Sequence, residues 1–175
     1  MERIGAVLER EGELLDTLLF KLIETKLLLQ AGETRFLSRA TREVERVRTR
    51  TREVDLMRAT TLGQVHGIRA GTTLRELAAQ APEPWPGILR DHHDRLGHLV
   101  AEIEVAAHQN ADEARLGLEA LRATPVLAGA PSGGGHTSPA DGDAELQRLA
   151  RGAAYEAVLG TAARLRMPDL LDFLR

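Results

Sequence analysis

Apolar positions along the first part of the chain recur at helical spacing. Leu8, Leu15, Leu22, Leu29 and Phe36 stand seven apart, and Leu18 and Leu19 fill the turn between. That spacing lines one side of an α-helix, predicted here from about Ile4 to about Ala31. Leu14, Ile23, Leu27 and Leu28 widen the stripe beyond a coiled-coil seam, so more than one neighbour is expected to cover it. Gly32 either ends this helix in the left-handed conformation or is tolerated inside a longer one. A second helix is predicted from about Glu33 to about Val65, with a seam of Leu37, Ala40, Val44, Val47, Thr51 and Val54. Its other faces carry Arg39, Arg42, Arg46, Arg48, Arg50 and Arg52 among Glu43, Glu45, Glu53 and Asp55. Interspersed acids make this a solvated face laced with ion pairs rather than a nucleic-acid stripe.

Gly63, Gly67 and Gly71 then punctuate the chain, and Thr73-Leu-Arg-Glu76 has the form of a capping box opening a short helix. Pro82, Pro84 and Pro86 stop it in a stiff, extended corner. Trp85, the only tryptophan, is in that corner, either as a plug packed on the bundle or as an exposed anchor for a partner. A third long helix is predicted from about Gly87 to about Ala123, with Trp85, Leu89, His92, Leu96, Leu99, Ile103, Ala106 and Asn110 along its seam. The seam thins to Ala107, Asn110, Ala111 and Ala114, which marks a frayed end or a groove open to a partner helix. Residues 124–142 have the Gly, Pro and Ser content of a flexible linker. A helical pattern resumes at Asp143, with a tail helix expected from about Ala144 to about Met167. Leu149, Ala153, Tyr155, Val158, Leu159, Ala162 and Leu165 give it a broad apolar surface. Pro168 breaks it before Leu170, Leu171, Phe173 and Leu174, an apolar end that needs cover. The expected organisation is a bundle over 1–123, a linker over 124–142 and a tail over 143–175.

Composition supports an all-α fold: an antiparallel bundle of three long helices with a short connecting helix, and a tethered C-terminal helix. Aromatic residues make up only 3% of the chain, too few for the Tyr- and Phe-rich strands of a sheet. A net charge of −3 gives no electrostatic case for nucleic acid as the main partner. Cysteine is absent, which removes disulfides and thiol chemistry together. No apolar run reaches the roughly 18 residues of a membrane span, and the charged N-terminus lacks a secretory pattern. A cytoplasmic protein is expected.

Candidate chemistry is sparse. Asp94 and His98 stand four apart on one helix face beside Asp91, His92 and His93, a spacing that suits two metal ligands. No second cluster offers a third and fourth, and His66 and His108 are isolated. Gly133-Gly-Gly135 precedes no phosphate-loop Lys-Ser or Lys-Thr, and nothing sets a nucleophile beside a base. No catalytic residue, cofactor or metal is assigned, and the chain is not expected to be an enzyme.

Several segments in order carry a resemblance: Leu18-Leu-Phe-Lys-Leu22, Leu27 through Leu37, Ala40-Thr-Arg-Glu-Val-Glu45, Thr73 through Ala78, and Ala81-Pro-Glu-Pro-Trp85. In their order and spacing, residues 1 to about 123 resemble the FlgN family of flagellar export chaperones. The resemblance implies a cytoplasmic helical chaperone of flagellar type III secretion. It would hold the C-terminal segments of hook–filament junction proteins unassembled and deliver them to the export apparatus. Ala154 through Leu165, followed by Pro168-Asp-Leu-Leu-Asp-Phe-Leu174, resembles the C-terminal end of FlgL, a junction protein of the kind such chaperones bind. The client-like residues are Tyr155, Val158, Leu159, Ala162, Leu165, Leu170, Leu171, Phe173 and Leu174. The family's export-gate contact involves a tyrosine near the chaperone's C-terminus. Tyr155 is the only tyrosine and lies in the client-like part, so no export-gate residue is carried over.

The expected receiving surface is the third helix where its seam thins: Leu99, Ile103, Ala106, Ala107, Asn110 and Ala114, with Leu118 and Leu121 beyond. Burial of an apolar client helix there is the helix-in-groove mode. The alternatives are a coiled-coil junction component that polymerises and, on the Arg-rich face alone, a nucleic-acid-binding regulator. The pattern leaves the oligomeric state open.

Overall fold

A computed structural model describes residues 1–64, 71–123 and 139–175. These residues form six helices: α1 (Glu2–Gln30), α2 (Thr34–Gly63), α3 (Leu74–Gln80), α4 (Trp85–Ala123), α5 (Pro139–Ala163) and α6 (Pro168–Leu174). No strand occurs among the described residues, and the all-α fold is the one the apolar periodicity predicts.

Helix α1 packs against α2 and α4, and α5 packs against the same two helices from the other side. The four long helices therefore form a square in which α1 and α5 stand on one diagonal, α2 and α4 on the other. Contacts fix the directions. Lys21 Nζ meets Glu43 Oε2 at 2.7 Å, so α1 and α2 are antiparallel. Arg95 bridges Glu9 and Asp16 at 2.8 and 2.7 Å near the start of α4. Lys26 Nζ donates to Gln109 Oε1 at 2.9 Å further along. Helix α4 thus runs parallel to α1, with α3 packed on its first turns.

Gly32 does end α1. Its φ is +70°, and the amides of Gly32 and Glu33 bond back to Leu29 O and Leu28 O. This break explains one departure from the sevenfold pattern. Phe36 does not continue the stripe but lies exposed on α2 beside Arg35, because the turn resets the helical phase. Of the residues expected to widen the α1 stripe, Leu14 is buried and Leu28 half-buried, whereas Ile23 and Leu27 are exposed beside Phe20. Two neighbours cover only part of the helix circumference. Every seam residue predicted for α2 is buried, and the helix ends at Gly63, with residues 65–70, including Val65, His66 and Gly67, outside those described.

The capping box at Thr73 and Glu76 forms in both directions. Helix α4 begins at Trp85, two residues before the predicted start, with Pro86 in the first turn where a missing amide is tolerated. Trp85 packs against the main core, and a Cβ on Gly5 would approach its ring to 2.9 Å. Gly5 is what lets the indole close on α1, as a plug. The expected linker and tail also shift. Residues 124–138 lie outside those described, but residues 139–142, assigned to the linker, belong to α5. Pro139 accounts for this: its fixed φ suits a first helical position. The tail helix ends at Ala163 rather than near Met167.

One apolar cluster runs through the bundle and takes in Leu165, Leu170, Phe173 and Leu174 along with Leu8, Leu15, Val44, Leu96 and Ile103. The tail is therefore part of the core rather than an appendage to a bundle complete at residue 123. Two charged residues enter this interior. Glu11 of α1 and Arg58 of α2 are both buried and form an ion pair, and Arg58 also bonds Asp55. Burial pushes the Glu11 carboxyl above its ordinary range, against the pull of Arg58. The Arg58 guanidinium lies 4.4 Å from the centroid of the Phe173 ring, so one side chain joins α1, α2 and α6.

Two tests follow from these contacts. Removing one partner of a buried pair strands the other, so Arg58→Ala is expected to lower unfolding free energy in urea by about 3–5 kcal/mol. A loss below about 1 kcal/mol, the range of an exposed pair, would show that Glu11 is solvated. Hydrogen bonds from Lys21 and Arg39 hold the Glu43 carboxyl down at about 2, against an ordinary 4.5. A depressed acid stabilises the fold above its unfolded value and loses that effect as pH falls through its folded one. Thermal melts of Glu43→Gln are therefore expected to fall less than the parent between about pH 4.5 and 2.

Candidate functional site

The feature with a shape suited to recognition is the groove between α2 and α4, opposite α1, in which α5 lies. Its α4 wall is built of small side chains. Ala106, Ala107, Asn110, Ala111 and Ala114 are all buried, and Gly117 continues the line. Small residues at spacing 3 and 4 let a second helix approach closely. Gly117 is the extreme case, because a Cβ there would fall 2.4 Å from Tyr155 Cζ. The Tyr155 ring occupies a notch that only glycine leaves open.

Further along, each of the four long helices contributes one polar residue to a buried layer: Thr25, Thr41, Asn110 and Thr161. Asn110 Nδ2 donates to Leu22 O at 2.9 Å, and Thr25 and Thr41 bond carbonyls of their own helices. Asn110 Oδ1 has no protein partner. It borders a void of about 10 Å³ shared with Thr161, Val158 and Ala162 of α5. Polar groups inside an apolar seam are satisfied in few alignments, which fixes register. Thr161 is the share that the docked helix brings to this layer.

The α2 wall adds a charge. Arg164 donates from Nε and Nη2 to Glu45 Oε1 at 3.0 and 2.7 Å. Burial pushes the Glu45 carboxyl up, but hydrogen bonds from Arg164 and Arg48 outweigh it and leave it below its ordinary range. Beyond Arg164 the chain turns at Leu165–Met167 and α6 covers the bundle end. Leu170, Phe173 and Leu174 are buried there. His93 Nε2 lies 2.9 Å from Leu174 O and 3.0 Å from Arg75 Nε, which ties the end of α6 to α3 and α4. Beneath the turn is a recess of about 290 Å³ bordered by Leu18, Glu11, Thr51 and Met167.

Of the residues expected to receive the tail, Asn110 and Ala114 meet α5 directly through the void and the Ala154–Val158 cluster. Leu99, Ile103, Ala106 and Ala107 belong to the core that also holds Leu165. Leu118 and Leu121 are half-buried, and Leu121 O accepts from Arg148 at 3.0 Å. In the tail, Val158 and Leu165 are buried, Tyr155, Leu159 and Ala162 half-buried, and Leu171 exposed. Leu171 points outward because a helix of two turns can bury only one face.

The α2 wall was missed: Leu37 and Val44 read only as part of the seam of the second helix, Glu45 as part of its solvated face, and Thr41 as neither. So was the Glu11–Arg58 pair. Its signal was present, since both residues fall on the 3–4 register of their seams, where an opposite charge on each of two antiparallel helices predicts a buried pair. Asp91, His92, His93, Asp94 and His98 do not converge. Burial lowers the His92 pKa, and its Nδ1 lies 3.9 Å from Glu9. His98 is paired with Glu102 at 3.6 Å. Among the described residues no three His, Asp or Glu side chains are grouped as metal ligands would be.

The Gly117 notch sets competing effects against each other. Alanine gains about 1 kcal/mol of helix propensity over glycine, whereas overpacking typically costs about 1–3 kcal/mol. Gly117→Ala is expected to destabilise the parent and to reduce amide protection over 150–165. In a Tyr155→Ala background the same change is expected to stabilise. Equal effects in both backgrounds, read by thermal melting, would show that the ring does not use the notch. Compared with protein-family models, curated proteins and solved structures, the chain finds no match.

Proposed function

We propose that this protein is a binding protein of the flagellar export-chaperone kind. It takes the C-terminal helix of a hook–filament junction protein into the α2–α4 groove and keeps that subunit unassembled, in the cytoplasm, until the export apparatus receives it. The single observation that carries this reading is that the groove already holds a C-terminal amphipathic helix ending in a short apolar cap, the segment that resembles such a client.

The physical argument is burial. A client helix in this groove would remove several Val, Leu and Phe side chains from water, each contributing about 1.5–3 kcal/mol. Ordering and lost rotational freedom offset much of that, which leaves the micromolar range, roughly −8 kcal/mol, natural for reversible holding. Three of the α2 arginines are drawn away from a nucleic-acid role. Arg39, Arg48 and Arg58 are engaged with Glu43, Glu45, Glu11 and Asp55.

The test is size-exclusion chromatography with light scattering on the chain mixed with C-terminal segments of junction proteins. A one-to-one complex with at least one segment is expected. Absence of any complex, for the parent and for chains with a weakened tail alike, would sink the reading. Incorporation of the chain into filaments would point instead to a structural component.

A further inference from the structure

Helix α5 is an incomplete occupant of its groove. From Gly142 to Ala150 its side chains are exposed except for a half-buried Arg148, with Leu146 at 65% and Leu149 at 60% of full exposure. Only the second half, from Ala154 onward, is embedded. The turn that follows leaves the recess of about 290 Å³ between α1, α2 and Met167. The walls themselves are finished surfaces: a notch at Gly117, a polar layer lacking one hydroxyl, an acid at Glu45, and an apolar end under Arg58. A groove with complete recognition features and a partial occupant is built for exchange.

We propose that α5–α6 is a displaceable internal ligand, and that the groove binds in its place the C-terminal helix of another polypeptide with matching chemistry. That chemistry is readable from the contacts. An aromatic residue enters the Gly117 notch, and a small aliphatic residue follows three positions on, where Val158 packs. A hydroxyl residue comes six positions after the aromatic, as Thr161 does, to complete the layer of Thr25, Thr41 and Asn110. A guanidinium comes nine positions after it, as Arg164 does, for Glu45. A chain break and a short apolar terminus then cover the bundle end and meet Arg58 as Phe173 does. The notch and the hydroxyl set the register, and Glu45 sets the direction, since a reversed helix would bring its guanidinium to the wrong end. This inference rests on the chaperone reading for the identity of the partner, but not for the exchange itself.

The tether makes the internal ligand a gate. Residues 124–138, whose Gly, Pro and Ser content is that of a linker, join this segment to α4, and a short flexible tether of about fifteen residues gives an effective concentration on the order of 1 mM. If the free segment binds an open groove at about 1–10 µM, the tethered copy weakens any competitor by about 10²–10³-fold. A partner therefore succeeds only when it fits better than α5–α6, for example by filling the recess beneath the turn.

The experiment titrates a fluorescent peptide of residues 142–175 into the full chain and into full-length Tyr155→Ala/Arg164→Ala. The paired change weakens the tail and leaves both groove walls intact. The double variant is expected to bind the peptide at least tenfold more tightly than the parent, and Gly117→Leu added to it is expected to abolish binding. Equal binding by parent and double variant would overturn the proposal, as would binding indifferent to Gly117. Should the double variant fail to fold by circular dichroism, the parent chain is nicked between Gly134 and Gly135 through an inserted protease site. The labelled peptide is then expected to exchange with the nicked tail on dilution, and lack of exchange would overturn the proposal. A parent that is a tail-swapped dimer at micromolar concentration would also overturn it, since a second copy would then close the groove. A junction-protein segment that binds parent and double variant equally refutes the gate and spares the chaperone reading. Peptide exchange without any junction-protein binding does the reverse.

Discussion

Helices α2 and α4 stand across a diagonal, and their inner faces leave water only when a fourth helix lies between them. Helix α1 fills one side of that diagonal. Among the described residues before α5 none occupies the other side, and everything distinctive about the molecule follows from how it is filled. The small residues of α4 become intelligible as one wall of a helix-sized slot, and Thr41, Val44 and Glu45 of α2 as the other. The constraint is geometric before it is chemical. Two helices that each pack on a third at roughly 8–10 Å between axes, at neighbouring corners of a square, stand about 1.4 times that distance apart and leave a trough that a fourth helix fits.

The molecule meets this constraint with two kinds of contact. Apolar burial by Val158, Leu165, Leu170 and Phe173 supplies most of the attraction and is indifferent to small slips of register. The polar contacts supply alignment. Asn110 cannot move along the seam without leaving its bond to Leu22 O, and Arg164 reaches Glu45 from the turn that directly follows α5. Arg58 serves the same purpose at the end of the bundle, where one guanidinium answers to Glu11, Asp55 and the Phe173 ring. Buried ionic groups are retained more readily for alignment than for stability, and this arrangement fits that use.

Seam residues at 3–4 spacing revealed the long helices because each buries its own stripe, a local property of the chain. Thr73 and Glu76 were likewise readable and opened the short helix, since a capping box acts within a few residues, whereas Gly32 in sequence reads as either a stop or a tolerated glycine. The groove was half readable: the thinning of the α4 seam is local, but the identity of the opposing wall depends on how four helices arrange themselves. Glu45 illustrates the difficulty. In sequence it is one acid among many arginines, and only the packing of α5 distinguishes its partner Arg164 from Arg48. Phe36 misled for a related reason, because sevenfold spacing carries no information once a left-handed residue interrupts the helix.

The uneven embedding of α5 gives the docked tail a mechanical polarity. The exposed half of α5 adjoins the segment that leads back to α4, and its buried half leads into α6, which ends against α3 and α4 with Leu174 O beside His93. A pull transmitted from residue 139 meets the contacts one turn at a time, as in peeling tape from its loose edge. The same force applied at Arg175 meets Leu170, Phe173 and Leu174 together, in shear. Peeling breaks a contact series at far lower force than shearing it. Any machinery that draws on this chain therefore releases the groove readily from one end and leaves it closed from the other.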